Sequence, residues 1–224
     1  MPRQKPPFYP TDFGLYGKPT LVNNVETLCN IPRILHKGAA WFTQAGTEKC
    51  PGTMMFSLSG AVNRPGVYEM PMGVTIRNLI EQCGGGVPGG RKIKAVFPGG
   101  PAFSMVTPDQ LDLPMDFDSL KKAGTGLGSA GVIVVDDATC MVAKTLHFSN
   151  FFKNESCGQC PPCRMGTINL AALMTKIEEG QGTQKDLDSL LQLCDEAREL
   201  LGLLHLIRET LGPSASLRYC IERL

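Results

Sequence analysis

Apolar residues recur three or four apart between Val25 and Gly38, where Val25, Leu28, Ile31, Ile34 and Leu35 line one side of an amphipathic helix. The residues before it are rich in Pro and Gly. One helix is too little to form a core alone, so residues 1–50 read as the end of a larger domain or as a docking arm. From Thr53 the pattern shortens to that of strands. Met54–Gly60 and Gly66–Met70 flank Asn63-Arg64-Pro65-Gly66, a Pro-Gly turn, and predict a hairpin. A helix follows, with Thr75 as its N-cap, Ile76, Leu79 and Ile80 on one face, and Gly84-Gly85-Gly86 as its stop. Ile93–Phe97 and Val132–Val135 are two further strand candidates. Two strands, a helix and then strands predict a small α+β, grasp-like sheet over residues 51–137 rather than a Rossmann unit.

Beyond Asp137 the period lengthens again. Met141–Phe152, Gly166–Glu179, Leu187–Leu201 and Leu203–Leu211 are helix candidates separated by breaks containing Gly or Pro, and they predict a four-helix bundle over residues 138–224. The expected fold class is therefore α+β, a sheet domain followed by a helical bundle.

Charge removes several function classes. Lys and Arg number 22 against 21 Asp and Glu, a formal net charge of +1, with no basic run to attract nucleic acid or an anionic membrane surface. No stretch approaches the roughly 18 to 20 consecutive apolar residues of a spanning helix, and MPRQKPPFYP has no apolar signal core. The chain reads as cytoplasmic, or as peripheral on the inner face of the cell membrane through partner subunits, with no direct insertion. The glycines of Gly124-Thr125-Gly126-Leu127-Gly128-Ser129 precede a strand, whereas a phosphate-binding loop follows a strand and opens a helix; a tight connection needing positive φ is expected here.

Chemistry concentrates in the cysteines. Six of the nine (Cys29, Cys50, Cys83, Cys140, Cys194 and Cys220) are dispersed and read as small buried hydrophobes. The other three, Cys157, Cys160 and Cys163, form a Cys-x-x-Cys-x-x-Cys triplet in the loop between the first two helices of the expected bundle. Thiolates so spaced on a curling backbone can bind separate metal atoms of one cubane, and Gly158 and Pro162 permit the turn. Structural zinc usually uses two separated Cys pairs, so the compact triplet favours iron and sulfur, as a [4Fe-4S] cluster. Arg164 and a helix N-terminus expected near Gly166 would place positive potential beside the cluster and raise its reduction potential.

The strings ESCGQCPPCRMGT, KPPFYP, GLYGKPTLVNNVETL, GAVNRPGVYEMPMG and GSAGVIVVDDATCMV resemble the C-terminal part of the flavoprotein subunit of NADH:quinone oxidoreductase, and they occur in that family's order along the chain. The same module occurs in NAD-linked hydrogenases and formate dehydrogenases. The resemblance implies the end of a flavin-binding domain over 1–50, a ubiquitin-like β-grasp domain over 51–137, and a helical bundle over 138–224 that binds one [4Fe-4S] cluster. It implies that Asn23 and Asn24 approach the phosphate or ribityl chain of FMN, although both residues also suit the cap of the helix that starts near Val25.

Two features depart from that family. The glycine-rich loops that hold FMN and NAD are missing, so this chain starts where the flavin domain ends and is expected to have no NADH oxidation of its own. The family's fourth cluster ligand is a further cysteine downstream. Here Cys194 comes early, Cys220 late, and His205 falls near the expected distance, so Cys220, His205 and Cys194 are the candidates in that order. The expected function is electron transfer from FMN through the cluster to quinone-directed Fe-S centres of neighbouring subunits of an NADH dehydrogenase. The alternatives are the equivalent part of a hydrogenase or formate dehydrogenase, and a partner-docking module with an incomplete cluster site.

Overall fold

The computed structural model of the chain describes residues 7–202, and side chains as far as 193. The helix expected over Leu203–Leu211 lies outside the described residues, as do His205 and Cys220. Within them the architecture is mixed α+β: a four-stranded sheet with helices.

The strands are β1 (Thr53–Gly60), β2 (Gly66–Pro71), β3 (Ile93–Phe97) and β4 (Gly131–Asp136), in the order β2-β1-β4-β3. β1 pairs antiparallel with β2 and parallel with β4, from Ser57 opposite Gly131 to Gly60 opposite Val134; β3 closes antiparallel on β4. The sequence pattern follows from what covers each strand. β1 buries only Phe56 and Leu58, so its apolar residues alternate with exposed ones. β4 is covered on both faces and reads as the continuous run Val132-Ile133-Val134-Val135.

One face of the sheet packs Phe56, Leu58, Val96, Val132 and Val134 against the Thr75-capped helix α3 (Ile76–Asn78), which continues as a π-helical turn over Leu79–Cys83. Thr75 accepts from the Asn78 N–H at 3.1 Å, as the cap reading requires. Met115 and Leu120 complete this core from α4 (Phe117–Lys122) and the residue pair before it. The sequence reading missed α4, which is a short helix held by Asp116, whose Oδ1 accepts from the Ser119 N–H at 2.7 Å. The Gly124–Ser129 connection is tight, as expected: Gly124 and Gly128 have φ of +79° and +52°, and a Cβ at Gly126 would lie 2.4 Å from the Phe103 ring.

The other face carries Ala95, Phe97 and Val135, covered by Phe148 of α5 (Met141–Glu155). α5 leads to α6 (Pro161–Glu178) and α7 (Gln184–Gly202), which pack through Leu170, Met174 and Leu190, with Val142 and Leu146 of α5 against them. α6 begins at Pro161 and not near Gly166, a correction with a clear cause. A proline at the first helical positions lacks only an N–H that would have no partner there, and its fixed φ suits the first turn. At the α6–α7 junction Asp186 accepts from the Thr183 hydroxyl and N–H and pairs with Lys176 at 3.0 Å. The first of these contacts contributes most to holding its carboxyl at a pKa of about 2.

The N-terminal helix α1 (Val25–Lys37) contains no buried residue, and α2 (Ala39–Phe42) follows it. Val25, Leu28, Ile31 and Leu35 remain 73%, 48%, 44% and 80% exposed, so the apolar stripe read in the sequence forms but finds no cover among the described residues. Glu26 ties α1 to the sheet by accepting from the Met55 N–H at 3.2 Å.

Two stability outcomes follow. Phe56→Ala removes a fully buried ring and should lower unfolding free energy by about 3–5 kcal/mol, whereas Leu35→Ala should change it by less than about 0.5 kcal/mol, both read from urea midpoints at constant slope. Asp186 has a folded pKa depressed to about 2 from an ordinary value of about 3.9, so its contribution is present above pH ~4 and is lost as pH falls through its folded value. Asp186→Asn, which mimics the protonated carboxyl, should therefore melt at a lower temperature than the parent at pH 6, with the gap closing towards pH 2; a gap that persists at pH 2 contradicts this account.

Candidate metal centre

Ser156 caps the C-terminus of α5, with its N–H bonded to the Phe152 carbonyl at 3.0 Å. Cys157 follows, Gly158 turns the chain at φ +71°, and Cys160 is the N-cap of α6. Cys163 is therefore not in the loop but in the first turn of α6, so the triplet spans the loop and the helix start. Cys160 makes no side-chain cap bond, which leaves its sulfur uncommitted to the helix amides. Cys157 and Cys160 are exposed, Cys163 is half-buried, and all three are free thiols.

Hydrogen bonds fix this turn from both helices. The Gly158 N–H donates to Ser156 Oγ at 3.2 Å, and Ser156 Oγ stands 3.6 Å from Cys163 Sγ. Thr167 Oγ1 donates to the Cys163 carbonyl at 2.9 Å, one turn further along α6. Ser156 was not singled out from the sequence. Its signal was present: a hydroxyl immediately before the triplet and seven positions from its last cysteine.

Among the described residues no three His, Cys, Asp or Glu side chains gather as ligands of a single metal ion. Ligands of a cubane attach to different iron atoms, so their sulfurs need not meet around one point. Three free thiols on the turn and the first turn of α6, two of them open to solvent, are a soft donor set that fits iron and sulfide. Of the fourth-ligand candidates, Cys194 lies on α7 with its side chain outside the described residues.

The dispersed cysteines divide. Cys50 and Cys83 are half-buried and pack against the sheet core, whereas Cys29 and Cys140 are exposed and correct the expectation that they are small buried hydrophobes. Cys29 lies on α1, which buries nothing, and Cys140 is the N-cap of α5. Asn24 is the N-cap of α1, its Oδ1 accepting from the Glu26 N–H at 2.8 Å, and Asn23 beside it is exposed. These asparagines stand at the start of α1, on a different element from Cys157, Cys160 and Cys163.

Comparison with known proteins finds two family matches along the chain. Residues 143–200 match the NADH-ubiquinone oxidoreductase-F iron-sulfur binding region, and residues 55–105 match the SLBB domain. The second F subunit of NADH-quinone oxidoreductase in Rhizobium meliloti is 49% identical over 193 residues, covering 86% of this chain and 46% of that protein. The NADH-quinone oxidoreductase F subunit of Mycobacterium tuberculosis H37Rv is 43% identical over 194 residues, covering 87% of this chain and 43% of the other. Among solved structures, an NAD+-reducing [NiFe]-hydrogenase in the H2-reduced state superposes with a TM-score of 0.77 at 35% identity, covering 97% of this chain and 36% of the other. The chain thus spans a little under half the length of these F-subunit relatives. Over residues 143–200, over residues 55–105 and in sequence over most of its length, the chain is similar to a part of the F subunits of NADH-quinone oxidoreductases.

Proposed function

We propose that this chain is the electron-transfer part of an F-type NADH dehydrogenase subunit, with Cys157, Cys160 and Cys163 as three ligands of a [4Fe-4S] cluster. The observation that carries the reading is the triplet of free thiols spanning the α5–α6 turn and the start of α6, inside the segment that matches an iron-sulfur binding region. When bound, such a cluster supplies one-electron carriage, here between FMN reduced by NADH and the Fe-S centres of partner subunits. The chain's own residues hold it. Cys157 and Cys160 approach from the turn and Cys163 from the first turn of α6, while Pro161 and Pro162 fix the backbone between them. The positive end of α6 and Arg164 in its first turn favour the added negative charge of reduction.

In this reading residues 1–50 end a flavin domain, 51–137 form a ubiquitin-like β-grasp domain and 138–224 a four-helix bundle. The parallel β1–β4 pair at the centre of the sheet, with α3 packed on one face, supports the β-grasp assignment. Three helices packed through Leu170, Met174 and Leu190 support the bundle. The uncovered apolar face of α1 supports a larger flavin domain against it, in which Asn23 and Asn24 would approach FMN. No helix among the described residues is long and apolar enough to cross a membrane, in keeping with attachment through partner subunits. A second reading, the corresponding part of an NAD-linked hydrogenase, is favoured by the 0.77 superposition on such an enzyme.

Chain purified anaerobically and reconstituted with iron and sulfide should hold about four iron atoms and show broad charge-transfer absorption that dithionite bleaches. Cys157→Ala, Cys160→Ala or Cys163→Ala should each lower iron retention, and stoichiometric zinc without sulfide would overturn the reading. The 224 residues alone should neither bind FMN at micromolar levels nor turn over NADH with ferricyanide, and both should appear when the flavin domain of an F-subunit relative is joined to them. Turnover by the chain alone would place its flavin site elsewhere.

A further inference from the structure

We propose that Ser156 is a positioning residue for the metal centre, donating its hydroxyl hydrogen to Cys163 Sγ and thereby raising the cluster's reduction potential; this rests on the cluster reading given above. The contact joins two helices that are placed independently. Ser156 is fixed by its own N–H on the Phe152 carbonyl at the end of α5, and Cys163 by the first turn of α6, whose Thr167 hydroxyl bonds the Cys163 carbonyl. Between them Oγ and Sγ stand 3.6 Å apart, within reach of a hydrogen bond to sulfur.

The direction of that bond follows from two facts. Gly158 N–H already donates into Ser156 Oγ at 3.2 Å, so the hydroxyl accepts from the turn and keeps its own hydrogen to give. A cysteine that binds iron does so as a thiolate, with no hydrogen of its own. With metal bound, the Oγ–Sγ contact can only run from Ser156 to Cys163. A donor aimed at a ligand sulfur withdraws electron density and favours the more negative, reduced form, one of the levers by which proteins set cluster potentials. Gly158 contributes through its turn: its left-handed φ of +71° points its N–H back at Ser156, and without that bond the hydroxyl would have less reason to face the sulfur.

The test is a potentiometric titration, followed by EPR, of the full chain reconstituted anaerobically as the parent, Ser156→Ala and Ser156→Thr, with iron and acid-labile sulfide assayed on each sample. Ser156→Ala should keep parental iron and sulfide but shift to a lower midpoint, about tenfold in the reduced-to-oxidised ratio at fixed potential, or about 59 mV for a one-electron couple. Ser156→Thr, which retains the hydroxyl, should titrate near the parent. Equal midpoints for parent and Ser156→Ala overturn the proposal, as does a Thr variant that shifts as far as Ala. If Ser156→Ala holds no cluster while Ser156→Thr does, the hydroxyl is needed to position Cys163 and the proposal stands; loss in both variants assigns the residue a steric role and overturns it. A parent chain that takes up no iron and sulfide refutes the cluster reading itself, and this inference with it.

Discussion

The edge-on packing of Phe148 against Phe97, with ring centroids 5.1 Å apart and planes at 90°, is the contact on which the placement of the cysteine triplet depends. It covers the second face of the sheet, together with Ala95 and Val135, and so fixes where α5 runs. Aromatic pairs of this geometry add about 0.5–1.5 kcal/mol beyond the area they bury. The chain between sheet and helix is held as firmly: Asp136, almost fully buried at the end of β4, receives the Thr139 hydroxyl and pairs with Arg91 at 3.0 Å. The Thr139 hydroxyl first, then Arg91, keeps its carboxyl below the usual range, so the turn into α5 is ionic as well as apolar. With α5 set at its start and along its length, its C-terminus delivers Ser156 and Cys157 to one place.

Apolar burial is distributed unevenly along the chain. The sheet core is closed by residues of β1, β3, β4, α3 and α4, and the helical core by residues of α5, α6 and α7. The first fifty residues contribute almost nothing to either. Phe8, Phe13, Leu15, Leu21 and Val22 stay exposed ahead of the uncovered stripe of α1. These residues adjoin the face that the proposed flavin domain would cover.

The parts of the fold that the sequence makes legible are those decided by near neighbours. The four strands fall within a residue or two of their expected limits because alternation and turn residues are local signals, and Thr75 announces its cap by residue type. The start of α6 was hidden because Pro161-Pro162 looks like a break, and the cap position that tolerates such residues is apparent only once Cys160 is known to occupy it. α4 was hidden because six residues give no period to read, and Asp116 alone defines it. The triplet was legible from spacing. The exposure of Cys29 and Cys140 was not, since burial depends on residues far away in sequence, and neither was the approach of Ser156 to Cys163, which depends on how two helices meet.

Among the described residues the helical core contains no cysteine: Leu170, Met174 and Leu190, with their neighbours Val142, Leu146 and Ile177, close it without any thiol. Unlike a zinc finger, whose chain stays unfolded until metal arrives, this hairpin of helices has its own reason to form. Its thiols are consequently on display in the finished fold, with Cys157 and Cys160 open to solvent on a single turn. Thiols so placed are open to oxidation and to mutual disulfide formation, which would remove two of the proposed ligands at once. On the proposed reading, cluster assembly therefore competes with oxidation of these thiols.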